Sequence, residues 1–406
     1  MKTAMLFHAF AMCGFAAASG VEVASIQTSY TKDGYVFVRL TTKDNVTQWG
    51  QSSYNNEKTD LMSTLSDKVH DWVGPHVFKK EFKTMEDIDK FAEDVWRSNY
   101  KRTGTVLAQA LAGVDTALHG LVARYQNISV CEMIARNMSG TCKTSVPVYG
   151  SNGSRSKSAA DIVANAVHNQ KTFNITAFKF QVMNRMGGDV DIKSGRTEEL
   201  IPLARKELGA DVRLMVDCNG GLEPSNMSHA KSVAALLVEN NYTWLEEPFP
   251  YWEYDNSDEL AAEELRPHGL GVALGEQEFR LDVFERNIHK IDFVQPDVHY
   301  VGGMARALRV ARMSMAASKI FVPHSPNPCM LDLFALSMLA SVPNAFDHME
   351  FDAINTVNPP DGTDFFTQPV YKLSDGAITV PKGPGWGVEL RPGLLVHATN
   401  QTSSHS

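Results

Sequence analysis

The sequence predicts an α/β fold in which a parallel barrel of eight strand and helix units follows a separate α+β unit. From Val146 onward, eight short apolar runs alternate with longer segments whose apolar residues recur every three or four positions. Eight such units over roughly two hundred residues are the size and order typical of a parallel barrel. An open, doubly wound sheet is the alternative, but no glycine-rich phosphate-binding turn supports it.

Residues 21–145 have a different pattern and are predicted to form the α+β unit. The run YVFVRLTT (35–42) indicates a hairpin strand, and LAQALAGVDTALHGLVARYQ (107–126) indicates one long helix. Residues 146–351 are predicted to form the barrel, and its strands are the runs at 146–150, 177–183, 212–219, 243–248, 271–277, 292–297, 320–325 and 345–351. Residues 352–406 are too rich in Pro and Gly for another barrel unit, so we expect them to return to the first domain.

Residues 1–20 have the pattern of a secretory signal, with Lys2, an apolar stretch and then small residues from Ala16 to Gly20. A hydrophobic first element of the fold or an organellar presequence is the alternative. The signal predicts a secreted protein or one of the secretory pathway; if the segment is something else, the protein is expected in the cytoplasm. Cys131 and Cys142 are close enough in the chain to close a small disulfide loop, but the sequence leaves their pairing open.

Asn-x-Ser/Thr sequons, the acceptor pattern for N-glycosylation, agree with the secretory interpretation. They occur at Asn45, Asn127, Asn137, Asn152, Asn174, Asn226, Asn241 and Asn400. Other classes of protein are disfavoured. The formal net charge is −9, from 38 basic and 47 acidic residues, and no cluster of Lys or Arg could follow a nucleic acid backbone. The body of the chain also has no run of eighteen apolar residues, so we expect no membrane span.

Polar residues stand at the carboxyl ends of the predicted strands, which in a parallel barrel face the active site. In strand order they are Lys179 and Gln181, Asp217 and Asn219, Glu246 and Glu247, Glu276, Asp297, His324 and Glu350. Two carboxylates about 4 Å apart repel by roughly 4 kcal/mol at an effective dielectric near 20, so a cation must offset several of them.

Oxygen ligands without His or Cys suit Mg²⁺, and we expect one ion per active site, held by Asp217, Glu246 and Glu276. Glu247 is expected on the other face of its strand, free to pair with a cation. The alternative is that one or more of these acids forms an ion pair with a barrel Lys or Arg. His324 and Asp297 end neighbouring strands, and a His oriented by a carboxylate is suited to act as a general base.

This ordered set resembles the enolase superfamily, specifically its mandelate racemase subgroup. The residues that carry the resemblance are Lys179 in KFQ, Asp217 in VDCNGG, Glu246 in WLEEP, Glu276 in LGEQ, Asp297 in QPD, His324 in VPHS and Glu350 in MEF. The closing GPGWGVEL is similar to the tail of the acid-sugar dehydratases of that subgroup, including rhamnonate dehydratases. The resemblance implies a modified TIM barrel with an α+β capping domain that is built from the N-terminal region and the C-terminal tail.

The resemblance also implies roles for these residues. Asp217, Glu246 and Glu276 would hold Mg²⁺, which binds the carboxylate of a small substrate, and His324 with Asp297 would remove the proton alpha to that carboxylate. Glu350 would hydrogen-bond the developing enediolate from the opposite side, and Lys179 would act as a nearby cation. Gln181 and Asn219 are candidates for substrate binding. Relatives of this kind assemble as symmetric oligomers, so self-association is expected.

Two departures from the family pattern bear on the reaction. The subgroup often has a second Lys where this chain has Gln181, which disfavours racemisation by two opposed bases. The predicted strands within SIQTSYTKDGYVFVRL are joined by only a few residues, where relatives carry a longer loop that covers the substrate. We therefore expect dehydration of an acid sugar to a 2-keto-3-deoxy acid. The alternatives are a racemase or epimerase, with Arg185 as a replacement base, and a secreted sugar-acid binding protein without catalysis.

Overall fold

The computed structural model of the protein describes residues 20–54, 59–78, 80–151, 153–326 and 329–404. It confirms the predicted fold class, in which an α+β unit with an antiparallel sheet is followed by a barrel of parallel strands. The predicted signal, residues 1–20, lies outside the described residues except for Gly20. The sequon at Asn152 lies outside them as well.

The N-terminal part is built on an antiparallel sheet. Its strands are β1 (Val21–Tyr30), β2 (Tyr35–Thr42), β3 (Thr47–Tyr54), β4 (Glu81–Phe82) and, from the far end of the chain, β15 (Thr399–Ser404). β1 lies between β2 on one side and β15 with β4 on the other. Residues 31–34 alone connect β1 to β2, which confirms the short hairpin expected at this point.

Five α-helices accompany this sheet within the described residues: α1 (Thr59–Lys68), α2 (Gly74–Val77), α3 (Met85–Ser98), α4 (Thr105–Tyr125) and α5 (Val130–Met138). A π-helical turn, Val69–Val73, joins α1 to α2. α4 packs along β2 and β3, so that nearly all of its side chains are buried. It is also the one described helix that is long and apolar enough to cross a membrane, and its burial inside the protein is that of a core helix. The long helix predicted from the sequence is confirmed.

Each of the eight predicted runs contains or overlaps one strand of the barrel. Its strands are β5 (Ser145–Ser151), β6 (Ala177–Gln181), β7 (Arg213–Asp217), β8 (Trp244–Glu246), β9 (Gly271–Leu274), β10 (Phe293–Val294), β11 (Ile320–Phe321) and β12 (Met349–Asp352). Neighbours from β5 to β11 pair in parallel, and β12 pairs in parallel with β5. The barrel closes through residues just before β12, where Phe321 of β11 bridges to Ala345.

The helices between these strands are α6 (Ala159–Phe173), α7 (Arg196–Leu208), α8 (Met227–Glu239), α9 (Tyr254–Leu260), α10 (Leu281–Asn287), α11 (Val298–Val301), α12 (Met304–Ala316) and α13 (Met330–Leu339). Most of their inward residues are apolar and buried in one continuous core that also includes the barrel strands. Seven of the eight strands are followed by one of these helices, whereas β12 leads into the C-terminal tail. Because the strands pair in parallel, their carboxyl ends meet at one mouth of the barrel.

The tail after β12 contacts both parts of the molecule. A hairpin of β13 (Leu373–Ser374) and β14 (Ala377–Thr379) pairs with the start of β5, whereas β15 pairs with β1. Cys131 of α5 forms a disulfide with Cys142, so the structure settles the pairing that the sequence left open.

Candidate active site

The ends of three adjacent strands bring predicted site residues into one layer. Gln181 of β6 is in register with Asp217 of β7, which is in register with Glu246 of β8. Paired residues on neighbouring strands point to the same face of a sheet, so these side chains share the barrel mouth. Asp217 and Glu246 are buried, whereas Gln181 is half-buried.

Glu246 is held by three donors inside the barrel. Its Oε1 accepts from Lys179 Nζ at 2.6 Å, and its Oε2 accepts from Gln295 Nε2 at 2.8 Å and Trp244 Nε1 at 3.0 Å. Burial raises the pKa of Glu246 to about 8, although the charge of Lys179 acts in the opposite direction. The sequence did not identify Gln295 or Trp244 as part of the site.

Glu247 does not lie where the sequence predicted. It was expected on the other face of β8 and free to pair with a cation, but it is buried and its Oε1 has no partner among the described residues. Burial and the charges of Glu276 and Asp217 raise its pKa well above its usual range, so it faces the same cluster of acids. Its backbone has φ of 39°, in the left-handed region, which breaks the alternation of strand residues on which the expectation rested.

Asn219 connects the acids to two arginines. Its Nδ2 lies 3.4 Å from Glu247 Oε2 and 3.5 Å from Glu276 Oε1, while its Oδ1 accepts from Arg155 Nη2 at 2.8 Å. Arg185 also donates to this Oδ1, at 3.1 and 3.2 Å. Arg185 therefore lies next to the acid cluster, and its role as a replacement base stays a prediction. Arg155 is buried in the segment after β5 and was not predicted.

His324 and Asp297 form the predicted pair. His324 Nδ1 lies 2.8 Å from Asp297 Oδ2, and His324 Nε2 lies 3.5 Å from Glu276 Oε2. Asp297 itself is fixed because its Oδ1 accepts from the backbone N–H of His299 and Tyr300 at the start of α11. Burial disfavours the charged imidazolium, but Glu276 and Asp297 outweigh it and raise the pKa of His324 to about 10.

Lys179 lies between two buried carboxylates. Its Nζ is 2.6 Å from Glu246 Oε1 and 2.9 Å from Glu350 Oε1. Burial disfavours its charge, but the two carboxylates outweigh that cost and raise the pKa of Lys179 well above its usual range. Lys179 therefore keeps its proton at neutral pH.

Glu350 is an acceptor in this arrangement. Its Oε1 accepts from Ser151 Oγ at 2.7 Å, and its Oε2 accepts from the backbone N–H of Ser325 at 3.2 Å. Burial alone would favour its neutral form, but Lys179 and His324 hold its pKa at about 2. In this state Glu350 accepts hydrogen bonds, and its expected bond to the enediolate stays a prediction.

The residues at the mouth fit a hard divalent cation by their chemistry. As the side chains stand, no three His, Cys, Asp or Glu groups of the described chain converge closely enough to hold a metal ion. The oxygen donors are nevertheless present, because Asp217, Glu246 and Glu276 are buried on successive strands and Glu247 Oε1 is buried without a partner. Such a set suits Mg²⁺, whose charge would offset the neighbouring carboxylates that help to raise the pKa of Glu246 and Glu247.

Comparisons with known proteins agree with this architecture. Residues 159–394 match the family described as enolase C-terminal domain-like, and residues 4–135 match the mandelate racemase / muconate lactonizing enzyme N-terminal domain. The D-galactonate dehydratase of Xanthomonas campestris pv. campestris is 22% identical over 397 residues, which cover 93% of this chain and 94% of that protein.

Two solved structures have the same fold. A protein from Roseobacter denitrificans, described provisionally as a racemase, is 31% identical with a TM-score of 0.83, and the match covers 95% of this chain and 100% of that one. L-talarate dehydratase from Polaromonas sp. JS666, solved with Mg and L-glucarate, is 18% identical with a TM-score of 0.76, over 95% of this chain and 99% of that one. The family matches, which span both parts of the molecule, place this chain in the enolase superfamily, in the group of mandelate racemase and muconate lactonizing enzyme.

Proposed function

We propose that this protein is an acid-sugar dehydratase that uses one Mg²⁺ ion per active site. The observation that carries the proposal is the presence of one suitable base. His324 is paired with Asp297 and directed at the acid cluster, whereas Lys179 is fixed in its protonated form and Gln181 stands where a second base would be needed.

His324 would remove the proton alpha to the substrate carboxylate. Because Asp297 Oδ2 accepts from Nδ1–H, it holds the imidazole in the form whose Nε2 is free to take a proton. The same contact stabilises the imidazolium that results. A pKa of about 10 is too high for an efficient base at neutral pH, and its main electrostatic cause is the charge of Glu276.

Asp217, Glu246 and Glu276 would hold the ion, and Glu247 is near enough to the cluster to support it. When bound, Mg²⁺ would offset the charge that develops on the substrate carboxylate and would also neutralise part of the field of Glu276 at His324. The pKa of His324 would then fall toward the range in which a general base works.

One base is sufficient for elimination of water. After proton removal, the imidazolium of His324 lies on the face from which the proton came, and it can return that proton to the departing hydroxyl on the beta carbon. Lys179, which keeps its charge, would orient the substrate carboxylate. In this scheme Glu350 serves to position Lys179, with its own oxygens held by Ser151 and Ser325.

A racemase or epimerase is the second candidate, because the solved protein that is 31% identical has been described as a racemase. Inversion at the alpha carbon requires a group that gives a proton to the opposite face. In this chain Lys179 holds its proton too tightly, between Glu246 and Glu350, to exchange it readily. The dehydratase relative, which aligns over 93% of this chain, favours elimination.

A screen with aldonic and aldaric acids tests the proposal. The purified chain is incubated with each acid and Mg²⁺, then with EDTA, and 2-keto acids are detected as semicarbazones. We expect metal-dependent product from a narrow stereochemical set of acids. Solvent deuterium at the alpha carbon without loss of water would instead identify an epimerase, and thermal stabilisation without either reaction would identify a binding protein.

A further inference from the structure

Exposure divides the asparagines of this protein into two groups. Seven of the eight sequon asparagines lie within the described residues, and all seven are exposed. Of the eleven other asparagines in the described ranges, Asn358 alone is exposed. If the sequons were accidental, their asparagines would be buried about as often as the others. The difference therefore needs a cause that is specific to the Asn-x-Ser/Thr pattern.

Turn geometry explains only part of this difference. Asn45, Asn127, Asn174 and Asn241 have φ values of 64°, 54°, 57° and 50°, in the left-handed region that Asn tolerates better than most residues. They lie at turns that follow β2, α4, α6 and α8. This preference explains the asparagine itself, but it makes no demand on the Ser or Thr two positions later.

The side-chain amides of the sequons are also available for reaction. Asn137 and Asn226 use only Oδ1, which accepts from Arg312 Nη2 at 2.6 Å and from Ser228 Oγ at 3.0 Å. Asn400 Nδ2 makes a single bond, at 3.2 Å, to the backbone oxygen of Ala398. Each of these amides keeps an Nδ2 hydrogen that could be replaced without loss of a contact.

Asn169, which is buried, and Asn344, which is half-buried, differ from these sequon asparagines. Asn169 Nδ2 donates to the backbone oxygens of both Ala353 and Thr356, at 2.5 and 2.8 Å. Asn344 Nδ2 likewise donates twice, to Ser314 Oγ and to the backbone oxygen of Lys319, both at 2.9 Å. These amides have no hydrogen to spare, and neither residue belongs to a sequon.

The disulfide is an independent observation that points to the same compartment. Cys131 and Cys142 are joined, and disulfides persist in the oxidising secretory pathway but are rare in the reducing cytosol. The two free cysteines within the described residues, Cys218 and Cys329, are both buried. A chain that is oxidised in this way would meet the enzymes that glycosylate asparagine.

We propose that the exposed sequons are N-glycosylation sites and that the chain matures in the secretory pathway. In each modification, Asn Nδ2 forms a bond to the anomeric carbon of a lipid-diphosphate-linked oligosaccharide. The bond from that carbon to the diphosphate oxygen breaks, and one amide proton leaves with the diphosphate. The proposal goes beyond the dehydratase activity and does not depend on it.

A glycan at Asn400 would have a structural effect as well. Asn400 lies in β15, an edge strand of the N-terminal sheet, which pairs only with β1 among the described strands. An exposed edge offers unpaired backbone groups to other chains, and natural proteins protect such edges with bulky or charged groups. A hydrophilic oligosaccharide at this position would prevent edge-to-edge association.

Site-specific mass spectrometry tests the proposal. The full chain, with its own N-terminus, is expressed in cultured eukaryotic cells and treated with peptide N-glycosidase in water enriched in heavy oxygen. We expect Asn to become heavy-labelled Asp at the exposed sequons. Asn358 is the matched control, because it is also exposed but is followed by Pro359 and must remain unlabelled.

A pair of variants checks the assignment at one site. Asn226→Gln and Ser228→Ala change different residues of one sequon, so both should remove the same single glycan and increase electrophoretic mobility by one equal step. A chain that is exported without label at any described sequon would overturn the proposal. Retention of an unlabelled chain in the cytosol would overturn it too, whatever the outcome of the dehydratase screen.

Discussion

Lys179 and His324 are both cationic groups beside Glu350, yet their surroundings give them opposite uses. Lys179 makes two close contacts with carboxylates, at 2.6 and 2.9 Å, and its pKa is raised well above its usual range. His324 makes one close contact with Asp297 at 2.8 Å and a longer one with Glu276 at 3.5 Å, and its pKa is about 10. Under the proposed function, the Lys179 side of the mouth would supply fixed charge, and the His324 side would supply a proton acceptor whose pKa a bound cation would lower.

The largest expected effect is on the proton acceptor. His324→Asn removes the base while keeping a polar side chain, and we expect turnover to fall by about 10³-fold, within the range that a positioned general base contributes. Exchange of the alpha proton with solvent deuterium should fall equally, whereas thermal stabilisation by Mg²⁺ should persist. The measurement is the steady-state rate together with deuterium exchange by NMR.

His289→Asn is the control for this variant, because His289 is exposed and follows α10, away from the described acid cluster. It should leave turnover unchanged. A comparable loss of turnover in both variants, or full activity of His324→Asn, would mean that His324 is not the proton acceptor of the site.

The fixed charge of Lys179 should matter for stability as well as activity. Lys179→Met leaves Glu246 and Glu350 buried without their shared cation, and breaking a buried pair in this way costs about 3–5 kcal/mol. Urea unfolding of the metal-free protein measures the loss. Adding Glu350→Gln should recover part of it, since the second change removes one of the uncompensated charges.

Lys90→Met is the matched control, because Lys90 pairs with Glu86 at 3.0 Å and both side chains are exposed. It should leave the unfolding midpoint unchanged. If both lysine variants unfold at the same urea concentration as the parent, Lys179 is not the charge that holds the two carboxylates in the barrel.

Mg²⁺ should stabilise the protein more at high pH than at low pH. A carboxyl whose folded-state pKa is raised stabilises the folded state below its unfolded value of 4.5, and that contribution is lost as pH rises through the folded value, about 8 for Glu246. The metal-free protein should therefore melt at a lower temperature near pH 9 than near pH 6. Mg²⁺ replaces the lost protons and should add about 3 kcal/mol at a hundredfold excess over its dissociation constant.

Calorimetry in two buffers of different ionisation heat would detect the protons released when Mg²⁺ binds. Asp217→Asn should abolish most of the Mg²⁺ effect, whereas Asp211→Asn, at an exposed position before β7, should not. Equal stabilisation by Mg²⁺ at both pH values would mean that Glu246 does not lose a proton when the ion binds.

Strand-end residues were predictable from the sequence because parallel strands repeat one simple geometry. Asp217, Glu246 and Glu276 were found by their place after apolar runs, and the structure brings the first two into register. His324 and Asp297 were found in the same way and lie within hydrogen-bonding distance. These residues follow from local pattern and strand order, which a sequence contains directly.

Glu247 and Arg155, whose positions depend on irregular backbone, were not placed correctly from the sequence. Glu247 was misplaced because its left-handed φ of 39° turns it toward the acids rather than away from them. Arg155 was missed because it lies in the irregular segment after β5, where no apolar period fixes the direction of a side chain. Gln295, which donates to Glu246, could have been noticed, since it stands in the QPD run two residues before Asp297.

The smallest expected effect on activity is that of Gln181→Lys, which would place an amine on the side of the mouth opposite His324. Gln181 is in register with Asp217, shares its face of β6 with Lys179 and makes no side-chain hydrogen bond within the described residues. Gln181→Lys would place a second amine opposite His324, but Asp217 would hold its proton as Glu246 holds that of Lys179. We therefore expect substrate of inverted configuration, with deuterium at its alpha carbon, to accumulate only slowly. We expect dehydration turnover to fall by about tenfold or less. The new lysine is not tuned to act as a base, so its effect should be smaller than the roughly 10²-fold or more that a positioned general base contributes. The measurement is chiral analysis of substrate recovered from heavy water, with Gln181→Met as the control of similar size. Rapid inversion by Gln181→Lys would show that a second base is all that separates this site from a racemase, and that proton affinity on the Lys179 side is not the barrier.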